Sequence, residues 1–191
     1  MISIINYENS YSTEIVEMLI EFNLEYKLLT DEVLICKADT IILPDCSDIK
    51  RAMRKMQLLN ISNVLKIVNK KIIGINNGMF LMCSGFFDSG ISGLGFFHSD
   101  VYNYEKDVET ELTQNTIVNT KHSCNNIDLS NFDFNYKSKH YILSNDNTCI
   151  QSKIEGKNIS IIDKTGQYIG VNLNLKAIRE KDKALLRMLL R

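Results

Sequence analysis

Through the first half of the chain, short apolar runs rich in β-branched residues alternate with segments whose apolar residues recur at helical spacing. This alternation predicts an α/β domain built on a doubly wound, mostly parallel sheet, because neighbouring parallel strands need a crossover and a helix supplies it. Two further observations agree. The only proline, Pro44, closes an apolar run instead of interrupting one, and the last stretch is amphipathic enough for a packed terminal helix.

Each element has its own signal. ISIINY opens the chain as a strand. Asn9 or Ser10 can cap the segment SYSTEIVEMLIEFN, where Ile15, Met18, Leu19 and Phe22 share one helical face and Glu14 and Glu17 lie toward its start. EYKLLT and ADTIILP predict the second and third strands. Ser47 or Asp48 then caps a helix in DCSDIKRAMRKMQLLN, with Met53, Met56 and Leu58 among its apolar positions, and ISNVLKIVNK predicts another helix. KKIIGIN is a fourth strand, and NGMFLMCSGF a helix after it. From Gly90 the character changes: GISGLGFF marks turns, and residues 96–150 suit hairpins and loops. NISIIDKTGQYIGVNLN predicts two strands joined at Lys164, Thr165 and Gly166. KAIREKDKALLRMLLR closes as a helix with Arg187 and Arg191 at its negative dipole end.

Composition removes several functional classes. The 191 residues are long enough to bury a core without disulfides or metals, and are expected to form one domain over 1–191. Charged residues make up 24% with a net charge of −1, and acids and bases are mixed, so neither a nucleic-acid stripe nor a polybasic membrane patch is expected. The first apolar run is too short for a signal peptide and no run suits a membrane span, so a cytoplasmic location is expected. Five cysteines without a C-x-x-C pair read as reduced thiols, and the three histidines are not spaced as ligands, so neither metal nor cofactor is expected.

The stretch GINNGMFLM (residues 74–82) has the form of a nucleophile elbow. It joins a buried strand to a helix, and glycines bracket a two-residue apex. The apex holds Asn76 and Asn77, and an amide has no nucleophilic chemistry to offer.

Eight segments in order resemble the class I glutamine amidotransferase domain, and within it the glutaminase subunit of imidazole glycerol phosphate synthase. They are IINY, TIILP with the RAMRKM helix, KKIIGINNGMFLM, SGLGFF, the HSCNN loop, HYILSN, QYIGVNLN and KALLRMLLR. The resemblance implies a flavodoxin-like fold. It also implies a Cys-His-Glu triad, with the cysteine attacking the side-chain amide of glutamine.

The same motifs are where this chain departs from the family. Asn76 stands at the position of the cysteine, Asn174 at the histidine base and Lys176 at the orienting glutamate. The oxyanion-side loop, P-G-x-G in the family, reads Pro44, Asp45, Cys46, Ser47. Phe80 stands at a substrate-contacting glutamine, and Leu143, Ser144 and Asn145 stand at the H-S-Y of the substrate strand. The partner-facing H-M-G-W-N loop has Asn125 at the tryptophan. Loss of one triad member typically costs about 10⁴–10⁶ in rate, so glutamine hydrolysis by the family mechanism is not expected.

What remains is the expectation of a catalytically degenerate homologue of the glutaminase subunit, docked on a synthase-like (β/α)₈ barrel subunit in histidine or surface-sugar biosynthesis. Two alternatives differ in class. One is a weak amidotransferase using a relocated thiol, for which Cys46 is the candidate. The other is a stand-alone domain binding a small anionic metabolite through Asn76, Asn77, Asn174 and Lys176. Cys83 reads as core, the His122–Cys124 pair as loop, and His98 and His140 as packing or surface residues at strand edges.

Overall fold

The computed structural model describes residues 1–7, 13–86, 90–103, 116–117, 123–124, 127–128, 133–134, 140–143, 149–154, 157–163, 165–173, 175, 178 and 180–190. The first half forms β1 (Ile2–Ile5), α1 (Thr13–Glu21), β2 (Tyr26–Leu29), α2 (Glu32–Cys36), β3 (Thr40–Leu43), α3 (Ile49–Leu58), α4 (Ile61–Ile67), β4 (Lys71–Ile75), α5 (Asn77–Leu81) and β5 (Cys83–Phe86). There follow β6 (Ile91–Ser92), β7 (Phe97–Asn103) and four two-residue strands, β8 (Thr116–Ile117), β9 (Ser123–Cys124), β10 (Ile127–Asp128) and β11 (Asp133–Phe134). The described elements end with β12 (His140–Leu143), β13 (Cys149–Ile154), β14 (Lys157–Asp163), β15 (Tyr168–Val171) and α6 (Glu180–Leu190).

The main sheet runs β2-β1-β3-β4-β15-β14-β12-β7-β5-β6, with β13 on β14. From β2 to β15 every neighbour is parallel. Beyond β15 the pairing turns antiparallel, apart from β5 with β7. Strand order reverses at β1, since the chain leaves it toward β2 and returns on its other side as β3. Helices cover both faces, as a doubly wound sheet requires: α1 and α6 pack with Ile2, Ile4, Ile73 and Val171, whereas α3, α4 and α5 pack with Ile5, Ile41, Leu43 and Ile72. Isoleucines occupy consecutive positions in β1, β3 and β4 because both faces of these strands are buried.

Helix ends follow from local chemistry. Asp48 caps α3 by accepting from the Arg51 N–H at 3.0 Å, and Asp31 caps α2 by accepting from Leu34 N–H at 3.0 Å. α1 stops where Asn23 takes φ 55° and the Leu24 N–H turns back to the Leu19 carbonyl, a left-handed C-terminal cap. The expected caps Asn9 and Ser10 lie outside the described residues.

The structure corrects the sequence reading at three places. The helix read across NGMFLMCSGF ends at Leu81, and Cys83 begins β5, because pairing with Phe97 on β7 recruits CSGF into the sheet. α2 is a helix in DEVLIC that apolar periodicity missed, since five residues are too few to show a period. Leu58 is 78% exposed although Met53 and Met56 beside it are buried. Gly90 and Gly95 adopt positive φ, as their turn reading requires. Arg187 lies with its guanidinium 4.6 Å from the Phe22 ring centroid, and Lys164 and Arg191 are outside the described residues.

Candidate functional site

β4 passes into α5 through a single residue, Asn76, at φ 54° and ψ −118°. Such a backbone suits glycine and costs a residue with a Cβ about 1–3 kcal/mol. Close approach holds the turn from beneath. A Cβ at Gly78 would lie 2.0 Å from the Leu43 carbonyl oxygen and 2.7 Å from that of Pro44, and one at Gly74 would lie 2.7 Å from the Gly78 oxygen. The glycines bracketing the asparagines are therefore set by α5 sitting directly on β4 and on the exit of β3. The sharp strand-to-helix turn read from GINNGMFLM is present.

The apex side chains point into the protein's own hydrogen bonds. Asn76 Oδ1 accepts from the Leu173 N–H at 2.7 Å, and its Nδ2 donates to Asp45 Oδ2 at 3.3 Å. A main-chain donor on one end and a carboxylate on the other fix the orientation of the amide. The Asn77 N–H donates to Asp45 Oδ1 at 3.2 Å, the Cys46 N–H donates to the same oxygen at 2.8 Å, and Asn77 Nδ2 donates to the Cys46 carbonyl at 2.6 Å. Together these bonds cross the C-terminal ends of β3, β4 and β15. Tyr7, buried at the exit of β1, donates its hydroxyl to the Pro44 carbonyl. That bond spans the reversal between β1 and β3, the crevice where doubly wound sheets usually take ligands.

Burial pushes the Asp45 carboxyl above its ordinary range, against the hydrogen bonds from Asn77, Cys46 and Asn76 that favour its charged form, and the charge of Glu14 adds to the rise. Cys46 is only 1% exposed, and a carboxylate sits on its own amide. A neighbouring anion does not activate a thiol. Ser47 is exposed. Phe80 is fully buried, and its ring meets that of His140 at 5.5 Å and 57°. The position that the resemblance gives to a substrate-contacting glutamine thus packs against another ring.

The remaining expected positions divide. Leu143 ends β12, paired with Asp100. Ser144, Asn145, Asn174, Lys176, His122 and Asn125 lie outside the described residues. Cys83 is buried on β5, His98 is exposed on β7, and Cys124 falls in β9. Sequence reasoning missed Tyr7, Glu14 and the Leu173 N–H. The tyrosine could have been noticed as a hydroxyl ending an apolar strand, but a backbone donor carries no signal in side-chain identity. A cleft of about 480 Å³ opens between α1 and the approach to α6, lined by Thr13, Glu14, Glu17, Met18, Leu175, Ile178 and Lys183. Among the described residues no group of three His, Cys, Asp or Glu could hold a metal ion, and no helix is long and apolar enough to cross a membrane.

No protein-family model matches the chain. It is 28% identical over 176 residues to the imidazole glycerol phosphate synthase subunit HisH of Staphylococcus aureus, covering 91% of this chain and 88% of that one. It is 35% identical over 81 residues to subunit HisH 1 of Campylobacter jejuni, 40% of each chain. In three dimensions it superposes on a glutamine amidotransferase crystal structure with a TM-score of 0.74 at 10% identity, covering 99% of this chain and 96% of the other. A candidate GMP synthase subunit from Thermoplasma acidophilum gives 0.70 at 13% identity, covering 99% and 91%. The chain thus has the fold of the glutamine amidotransferase structure it superposes on, and is similar in sequence to HisH subunits over nine-tenths of its length.

Proposed function

We propose that the chain is a non-catalytic counterpart of the glutaminase subunit, acting as one domain that docks on a synthase-like (β/α)₈ barrel subunit. The observation that carries this reading is the state of Asn76. The residue holds the strained apex conformation of a nucleophile, yet it offers an amide whose two ends bond to Leu173 and Asp45. Acyl transfer from glutamine needs a nucleophile at that point and a base to activate it. The apex supplies neither. The positions that the resemblance gives to the base and its orienting partner, Asn174 and Lys176, carry no histidine and no carboxylate.

A scaffold kept in this detail without its chemistry fits a role in assembly. The relatives in Staphylococcus aureus and Campylobacter jejuni are named as subunits of a synthase, and a subunit that caps a barrel can shape its ammonia entrance without producing ammonia. The partner would act in histidine biosynthesis or in sugar amidation for a surface polysaccharide. Work in the cytoplasm follows from that pairing. Size-exclusion chromatography of the purified chain with a cyclase-type barrel subunit from the same organism tests the proposal. The expected result is a 1:1 complex whose barrel activity runs on added ammonia and not on glutamine. Failure to form a complex or to alter barrel activity counts against it.

A further inference from the structure

The Asp45 carboxylate is the charged group of the elbow, and the proposed function gives it no task. In strand-to-helix elbows of this form, the oxyanion of an acyl intermediate is received by the N–H of the residue after the apex together with an N–H from the loop after a neighbouring strand. Here those donors are Asn77 N–H, directly after the apex, and Cys46 N–H, on the loop after β3. Both point at one atom, Asp45 Oδ1, at 3.2 and 2.8 Å. The second oxygen, Oδ2, takes the Asn76 amide at 3.3 Å. The side chain is mostly shielded from water, and Glu14 on α1 adds negative charge nearby.

We infer that Asp45 is an internal occupant of the oxyanion position: a tethered carboxylate that closes the elbow from within, as a barrier separate from the missing nucleophile. The inference rests on the elbow reading given above and goes further, because it states what restoring a nucleophile would not achieve. A carboxylate on these two amides disfavours a thiolate at the apex and leaves no donor for a developing oxyanion. The same bonds, with that from Asn77 Nδ2 to the Cys46 carbonyl, fasten the loop of residues 44–48 to α5.

The test places a thiol at the apex with Asn76→Cys, alone and combined with Asp45→Asn or Asp45→Gly, in the full chain. Alkylation by iodoacetamide is followed against pH at position 76, resolved from the five native cysteines by peptide mass spectrometry. Removing the charge is expected to lower the apparent pKa of that thiol by about one unit and to speed alkylation at pH 7 about tenfold, in the same direction for both double variants. Alkylation unchanged within about twofold overturns the inference. Should Asn76→Cys fail to fold, amide exchange in Asp45→Ala decides instead. Exchange at Asn77 and Cys46 is expected to rise about tenfold or more, as for donors that lose their acceptor, and unchanged protection overturns the inference. Glutamine turnover by the unmodified protein would remove the non-catalytic reading, and with it the need for a closed elbow.

Discussion

β3 and β4 lie side by side and hand over to helices at the same edge of the sheet, but by opposite means. After β3 the chain runs through residues 44–48 in ordinary conformations, and Asp48, extended at φ −136°, caps its own helix. After β4 the turn is made in one residue at positive φ, and the side chain of Asn76 makes no bond to its own helix. It reaches Asp45 on one side and Leu173 on the other. The first junction is local and could be written into any α/β protein. The second is strained and is held in place by partners 31 and 97 residues away. The difference shows how a strained turn is held: the apex side chain acts as a cross-link, and that cross-link offsets the strain it sits on.

The comparison can be broken at several points. Gly78→Ala is the most severe, since its Cβ meets two backbone carbonyl oxygens that cannot move aside. We expect a loss of about 3 kcal/mol in urea unfolding. Asn76→Ala comes next, at about 2 kcal/mol, because two hydrogen bonds go and the Leu173 N–H is left without its acceptor. Asn76→Gly loses the same bonds but relieves the backbone, so it should be more stable than the alanine variant by about 1 kcal/mol. Equal stability of the two would mean that the apex is not strained. At the ordinary junction, Asp48→Ala should cost about 1 kcal/mol by removing one cap, with no effect at the elbow.

The smallest expected effect is a slope. The folded Asp45 carboxyl holds its proton to higher pH than the unfolded one, whose ordinary value is 3.8. Its contribution is therefore most favourable at low pH and is lost as pH rises through the raised value. Relative to Asp45→Asn, the unmodified protein should lose stability across that window and level off above it. Urea melts at a series of pH values would show this. A difference that stays flat with pH would mean that the carboxyl titrates as an exposed one does.

Much of this architecture was legible in the sequence, for reasons specific to each part. The strands of the parallel block announce themselves because burial on both faces demands unbroken apolar runs, as in TIIL and KIIGI. The elbow was legible because its geometry is a contract among adjacent residues: Gly74, Asn76 and Gly78 must occur together for α5 to sit on β4. β5 was not legible, since the choice between a longer α5 and a new strand is made by Phe97 on β7. The site was only half legible. Asp45 can be placed in the loop after Pro44, but its hold on Asn77 depends on a rotamer. The partner of Asn76 is a main-chain N–H that no residue identity reports, and the packing of Phe80 against His140 depends on how β12 joins the sheet.

The most direct measurement is ammonia release from glutamine by the purified protein, alone and with a cyclase-type barrel subunit from the same organism. A non-catalytic elbow predicts no release above buffer in either case. Turnover that persists through stringent purification and is abolished by Cys46→Ser would contradict the account, placing a working nucleophile on the loop that Asp45 is held to close.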